Sequence, residues 1–250
     1  MEKRVYTYEI IEVCLLAGKI MLESGAETYR VEDTMTRIAM SFGIDHSHSY
    51  VTPTGIIFSI DGADPAKLVR ISERSTDLRK VTVVNSLSRQ IASGILSPQD
   101  ALTQLRQIEK ERDAYPLWIQ IFAAFISSGC FLIMYQGQWH DFLPACITGA
   151  VGLSGVIFLH RLLEIKFFAE FLSSVVIGLL AFLFVKIGAG HEIDKIIIGS
   201  VMPLVPGVLI TNAVRDLIAG HLVSGITKGA EAFLTAFAIG TGIAVVFAFY

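Results

Sequence analysis

The sequence predicts a membrane protein in which a small cytoplasmic α+β domain precedes a transmembrane domain of five α-helices. Three observations carry that prediction. Mean hydropathy is +0.59, with 53% hydrophobic and 17% charged residues among 250, too apolar for an ordinary soluble domain. Most of the charge falls in residues 1–115, and nearly all the long apolar runs fall in residues 116–250. Those runs approach or reach the roughly 20 apolar residues that a spanning helix needs.

The apolar half divides into candidate spans at 117–135, 143–159, 167–185, 196–214 and 232–250. Arg106, Lys110 and Arg112 precede the first, and the "QGQWH" link that follows it has no Lys or Arg. Arg161, Lys166, Lys186, Lys195, Arg215 and Lys228 flank the later links. This bias places residues 1–115 in the cytoplasm and Tyr250 outside. Trp118, Trp139, Tyr115 and Tyr135 suit the two interfaces of the first span. An odd number of spans makes a following five-span unit inverted, as in many alternating-access transporters.

In the polar half, 8–22 reads as a helix closed by Ser24 and Gly25, and a second helix runs to Gly43 with acid in its first turns. "YVTPTGIIFSI" reads as strand, turn, strand and "KLVRISE" as a third strand. Residues 77–94 read as a helix, and Ser97 with Pro98 opens another as N-cap and first helical residue. The stretch 13–22 is short and interrupted by Lys19, so it is not a secretory signal.

Several function classes find no support. A net charge of −3 offers no basic surface for nucleic acid. Cys14, Cys130 and Cys146 lack disulfide or zinc spacing and read as small apolar fillers. No nucleophile elbow, zinc-protease helix, Walker A or dinucleotide fingerprint occurs, and nothing implies a metal or cofactor. His46 and His48 alternate on a predicted strand, a weak metal signal.

Two stretches stand out. Glu27, Thr28, Arg30, Glu32 and Asp33 form the densest polar cluster; Glu27 and Arg30 share a helix face, as do Thr28 and Glu32. Such a cluster serves either as caps and surface ion pairs or as a ligand or gating site just inside the membrane. The second stretch is "VMPLVPGVLITNAVRDLIAGH", residues 201–221. Pro203 and Pro206 each remove a helical hydrogen bond, and Gly207 removes bulk where carbonyls are freed. Unpaired backbone is tolerated in hydrocarbon only when buried in protein or lining a wet cavity. Asn212 and Asp216 continue one helical row, and Asp216 lies about 15 Å beyond Pro206. A broken helix beside Arg215 and Asp216 points to a transporter site; the alternative is a packing kink with interfacial charges.

Together, "SGAETYRVED" and "PG…TNAVRDL…G" resemble the threonine/serine exporter (ThrE-like) family of bacterial membrane proteins, over nearly the whole chain. The resemblance implies a multi-pass protein of the bacterial inner membrane. It implies the N-terminal component of a split system whose partner is a second, short five-span chain, in higher oligomers or not. The implied function is secondary export of small polar carboxylates: threonine and serine, or a dicarboxylate such as succinate. It adds weight to Glu27, Thr28, Arg30, Glu32 and Asp33, and to Pro206, Gly207, Asn212, Arg215 and Asp216. In the reading that follows, Arg215 attracts a substrate carboxylate, Asp216 carries a proton or pairs with Arg215, and Asn212 supplies neutral hydrogen bonds. No ATP motif is present, so proton coupling is the simplest energy source. A membrane-anchored sensing or regulatory subunit and a membrane-bound enzyme are the competing readings.

Overall fold

A helix whose apolar residues cover most of its circumference has to be largely surrounded by protein, and the second half of the first helix, α1 (Glu2–Glu23), meets that condition except at the partly exposed Lys19 and Glu23. Ile10, Ile11, Val13, Cys14, Ala17, Ile20 and Met21 are all buried. A computed structural model describes residues 2–61, 65–111, 115–163 and 165–249. Arg112, one of the basic residues before the first predicted span, and Tyr250, the end of the fifth, lie outside the described residues. The molecule is mostly helical, with one small sheet. It divides into two compact units, Met1–Ala114 with Val208–Gly229, and Tyr115–Gly207 with Ala230–Tyr250.

In the first unit α1 is the axis, packed by α2 (Thr28–Ser41), α3 (Leu78–Ala92) and α4 (Pro98–Lys110). The sheet is an antiparallel meander of β1 (Ser47–Thr52), β2 (Gly55–Ile60) and β3 (Lys67–Arg70), in the order β1-β2-β3. In β2, Ile56, Phe58 and Ile60 alternate into the core against α1, the period-2 burial of a strand covered on one face. Ser97 caps α4 as its sequence signal predicts, accepting from the amide of Asp100, and Asp77 caps α3 by accepting from that of Lys80. His46, predicted to share a strand face with His48, instead precedes β1. Only the first four residues of "KLVRISE" form β3.

The second unit contains α5 (Leu117–Met134), α6 (Phe142–Leu163), α7 (Lys166–Lys186) and α8 (Ile193–Val201), with 3₁₀ turns at Trp139–Asp141 and Met202–Leu204. Helix α6 packs against α5, α7 and α8, and α5 packs against α8. Small residues permit these approaches, as between membrane helices generally: a Cβ on Gly199 would lie 2.8 Å from the Ser128 carbonyl oxygen. Two carboxylates have partners, although Glu170 Oε2 is buried without one among the described residues. Lys166 binds Glu231 at 2.9 Å, and Glu170 accepts from Thr235 at 3.3 Å.

Two further helices carry residues of both units, α9 (Gly207–Ile218) and α10 (Leu222–Phe249). By length and composition Leu117–Met134, Trp139–Leu162, Lys166–Lys186 and Leu222–Phe249 can each cross a membrane. Ile193–Leu204 and Gly207–Ile218 qualify only as a broken pair. The break at Val205 and Pro206 interrupts the predicted 196–214 span at its prolines. The helix predicted at 232–250 begins ten residues earlier, because Lys228 and Glu231 are held by ion pairs and do not end it. Gly207 does not relieve crowding as expected, since a Cβ there would meet nothing within 4 Å.

Candidate functional site

The "SGAETYRVED" stretch begins as a helix end. Gly25 adopts φ +83°, a left-handed conformation that costs glycine little. Its N–H donates to the Leu22 carbonyl and that of Ala26 to the Met21 carbonyl, the paired bonds of a Schellman turn. The chain then re-enters helix with Glu27 as N-cap and Thr28 as the first residue of α2. Within five residues the turn presents two carbonyl oxygens, an acidic side chain, a hydroxyl and the free amide of a helix N-terminus. Such an amide is a ready seat for an anion.

That seat is filled by Asp216 of α9, within the first unit. Thr28 donates its amide to Asp216 Oδ1 at 2.9 Å and its hydroxyl to Oδ2 at 2.9 Å. Lys228, from the second turn of α10, donates to the same Oδ2 at 2.7 Å. Its ammonium also reaches the Ala26 carbonyl and Thr28 Oγ1, each at 3.3 Å. Asp216 and Thr28 are fully buried and Lys228 nearly so. All three ammonium protons have acceptors, which is what makes a buried charge tolerable. One helical turn before Asp216, Asn212 donates to the Gly25 carbonyl at 2.8 Å.

Glu27 forms the outer part of the cluster. It accepts from Arg215 at 2.6 Å through Oε1 and from Arg30 at 3.0 Å through Oε2. Burial pushes its carboxyl up, but its own backbone amide, Arg215 and Arg30 outweigh this and hold it below the usual range. Glu32 accepts from the Val51 amide at 2.8 Å and lies 3.9 Å from His221. Burial pushes its carboxyl up, with Asp216 adding to the rise and the Val51 amide and His221 opposing it.

The predicted site residues therefore separate. Glu27, Thr28, Arg30, Asn212, Arg215 and Asp216 come together, with Glu32 adjoining. Asp33 pairs instead with Arg37 on the exposed face of α2. Pro206 and Gly207 mark the break before α9, and Gly207 belongs to the second unit. Arg215 and Asp216, neighbours in sequence, are not each other's partners. Consecutive helical residues point about 100° apart, so Arg215 meets Glu27 while Asp216 meets Lys228. The sequence reading missed Lys228 as a member of the site, because it placed that lysine in the link before the last span, whereas it lies in the second turn of α10.

The family described as "Putative threonine/serine exporter" matches residues 12–250. The chain belongs to this family. It is 26% identical over 241 residues to "Probable succinate transporter subunit YjjP" of Klebsiella aerogenes, covering 94% of this chain and 91% of that protein. The Escherichia coli K12 protein of the same name is 24% identical over 245 residues, covering 94% and 92%. "Probable threonine/serine exporter" of Mycobacterium tuberculosis is 22% identical over 238 residues, covering 93% of this chain and 45% of that protein. No solved structure matches the chain. Family membership and these relatives support a multi-pass membrane exporter.

Proposed function

We propose that the chain is one component of a secondary exporter for small polar carboxylates, either hydroxy amino acids or a dicarboxylate, acting with a second membrane subunit. The observation that carries the reading is the carboxylate of Asp216 held by the Thr28 amide, the Thr28 hydroxyl and Lys228. A substrate carboxylate needs this same set of donors, and Arg215 adds a planar fork beside it with 56% of its side chain exposed. Protonating Asp216 removes the charge that holds Lys228, so proton transfer and carboxylate binding are linked through one residue. Two relatives are named as subunits, which supports a partner. On this reading residues 1–115 are cytoplasmic, with the Asn212–Asp216 end of α9 against them, α5, α6, α7 and α10 cross the bacterial inner membrane, and α8 with the start of α9 forms a fifth, interrupted crossing.

The test is flux of serine, threonine and succinate from liposomes holding the chain with its partner subunit. Arg215→Lys, Asp216→Asn and Lys228→Met should each lower flux about tenfold or more, the worth of one charge-assisted contact of roughly 1.5–3 kcal/mol. Removing one member of a buried pair destabilises by about 3–5 kcal/mol. The double variant Asp216→Asn/Lys228→Met should therefore accumulate better than either of its single variants and still not transport. Flux within twofold of wild type in the three single variants, at equal membrane levels, would overturn the reading. Ligand binding without flux in wild type would favour a sensing subunit.

A further inference from the structure

The second unit contains a cluster of ligating side chains that the exporter reading does not use. Asp141 closes the 3₁₀ turn between α5 and α6 and is fully buried. Its carboxylate reaches to the connection between α7 and α8. Oδ1 accepts the His191 amide at 2.7 Å and Oδ2 the Glu192 amide at 3.1 Å. Both oxygens are thereby fixed, and each keeps a second lone pair. The imidazoles of His140 and His191 flank it with their Nδ1 atoms 3.0 Å apart. Each Nδ1 lies 3.9 Å from Asp141 Oδ1. The rings meet at 76° in a T-shaped arrangement, with centroids 4.3 Å apart.

Those three atoms form an isosceles triangle with sides of 3.0, 3.9 and 3.9 Å. By geometry the point equidistant from its corners lies about 2.1 Å from each, against about 2.0–2.2 Å for zinc to imidazole nitrogen or carboxylate oxygen. An ion lifted a few tenths of an ångström out of that plane stays within the range and leaves room for a fourth ligand. Both histidine side chains are more than half exposed, which leaves that position to water.

We propose that His140, Asp141 and His191 form a binding site for a borderline divalent transition-metal cation, clamping the α5–α6 connection to the α7–α8 connection. Two imidazoles and one carboxylate suit Zn²⁺ and its neighbours and not Mg²⁺ or Ca²⁺, which take all-oxygen sets. The Asp141 bonds to the 191 and 192 amides are the supporting shell that such sites require. Without an ion the same two nitrogens share one proton as a hydrogen bond. Binding requires each ring to carry its proton on Nε2 instead. On the proposed topology the site faces the exterior. Its test does not depend on transport.

Zn²⁺ alone is titrated into the full-length chain, purified without a polyhistidine tag, by calorimetry, and Co²⁺ is followed by its visible absorption. The expected result is one equivalent of Zn²⁺ bound at micromolar or tighter affinity, tetrahedral Co²⁺ bands, and no competition from excess Mg²⁺. His140→Gln and His191→Gln should each weaken binding at least tenfold and remove the Co²⁺ bands, with metal-free melting temperature unchanged. His46, His48, His160 and His221 remain in both variants as internal controls. No binding by wild type, or binding that both variants retain, would overturn the proposal and leave the two rings as a hydrogen-bonded pair.

Discussion

Glu27 and Glu32 lie five residues apart on the same stretch, yet their carboxyls are displaced in opposite directions. Glu27 titrates below its ordinary 4.5 in the folded chain. The native state then binds fewer protons than the unfolded one, so this contribution is complete above about pH 4.5 and fades as pH falls through the folded value. Glu32 titrates above 4.5; its contribution is complete below that pH and is lost as pH rises through the folded value. Glu27→Gln should therefore cost stability at pH 7, about 1 kcal/mol because both arginine partners are partly solvent-screened, with the difference shrinking below pH 4.5. Glu32→Gln keeps an amide oxygen for the Val51 N–H and sheds the charge. It should melt no lower than wild type at pH 7, with its relative gain fading toward pH 4. Melting curves in detergent across pH 4–7 check both. The crowding of these acids was plain in the sequence. So was the local partner Arg30 of Glu27; the distant one was not, because Arg215 lies 188 residues from Glu27 and no periodicity reports a contact at that separation.

The turn between α1 and α2 was legible for a different reason. A glycine just past an apolar helical run is a local signal, and Gly25 does adopt the left-handed conformation that it implies. The same turn aims the Gly25 and Ala26 carbonyls at Asn212 and Lys228. Gly25→Ala should cost about 1–2 kcal/mol for the conformation alone, and its Cβ would also lie 3.1 Å from the Ser75 carbonyl. The measurable outcome is a lower melting temperature, together with reduced flux even where Glu27, Thr28, Asp216 and Lys228 are intact. Unchanged melting would mean that the turn relaxes and does not position the site. The start of α10 shows the opposite case. Lys228 and Glu231 looked like link residues because charge normally ends an apolar helix, and only their partners, Asp216 and Lys166, explain why the helix continues.

At the scale of the whole molecule, the exporter reading places residues 1–115 and the C-terminus on opposite sides of the membrane. Reporter fusions check this: one before residue 10 should be active only in the cytoplasm, and one after residue 249 only outside. Cytoplasmic activity from both would remove one crossing and the inverted-partner argument with it. The division into a polar first half and an apolar second half was visible in composition. That Val208–Gly229 packs with the first unit was not, since those residues sit in apolar sequence and their burial depends on partners near residues 24–51.

The seat at the start of α2 is already taken by a carboxylate that the chain itself supplies. A tethered ligand acts at an effective concentration of about millimolar or more, so a free carboxylate of similar intrinsic affinity must approach that level before it displaces Asp216. On the exporter reading such a seat would empty only as the substrate accumulates, as in a relief valve, so Asp216→Asn would lower that threshold while still losing the proton step on which flux depends.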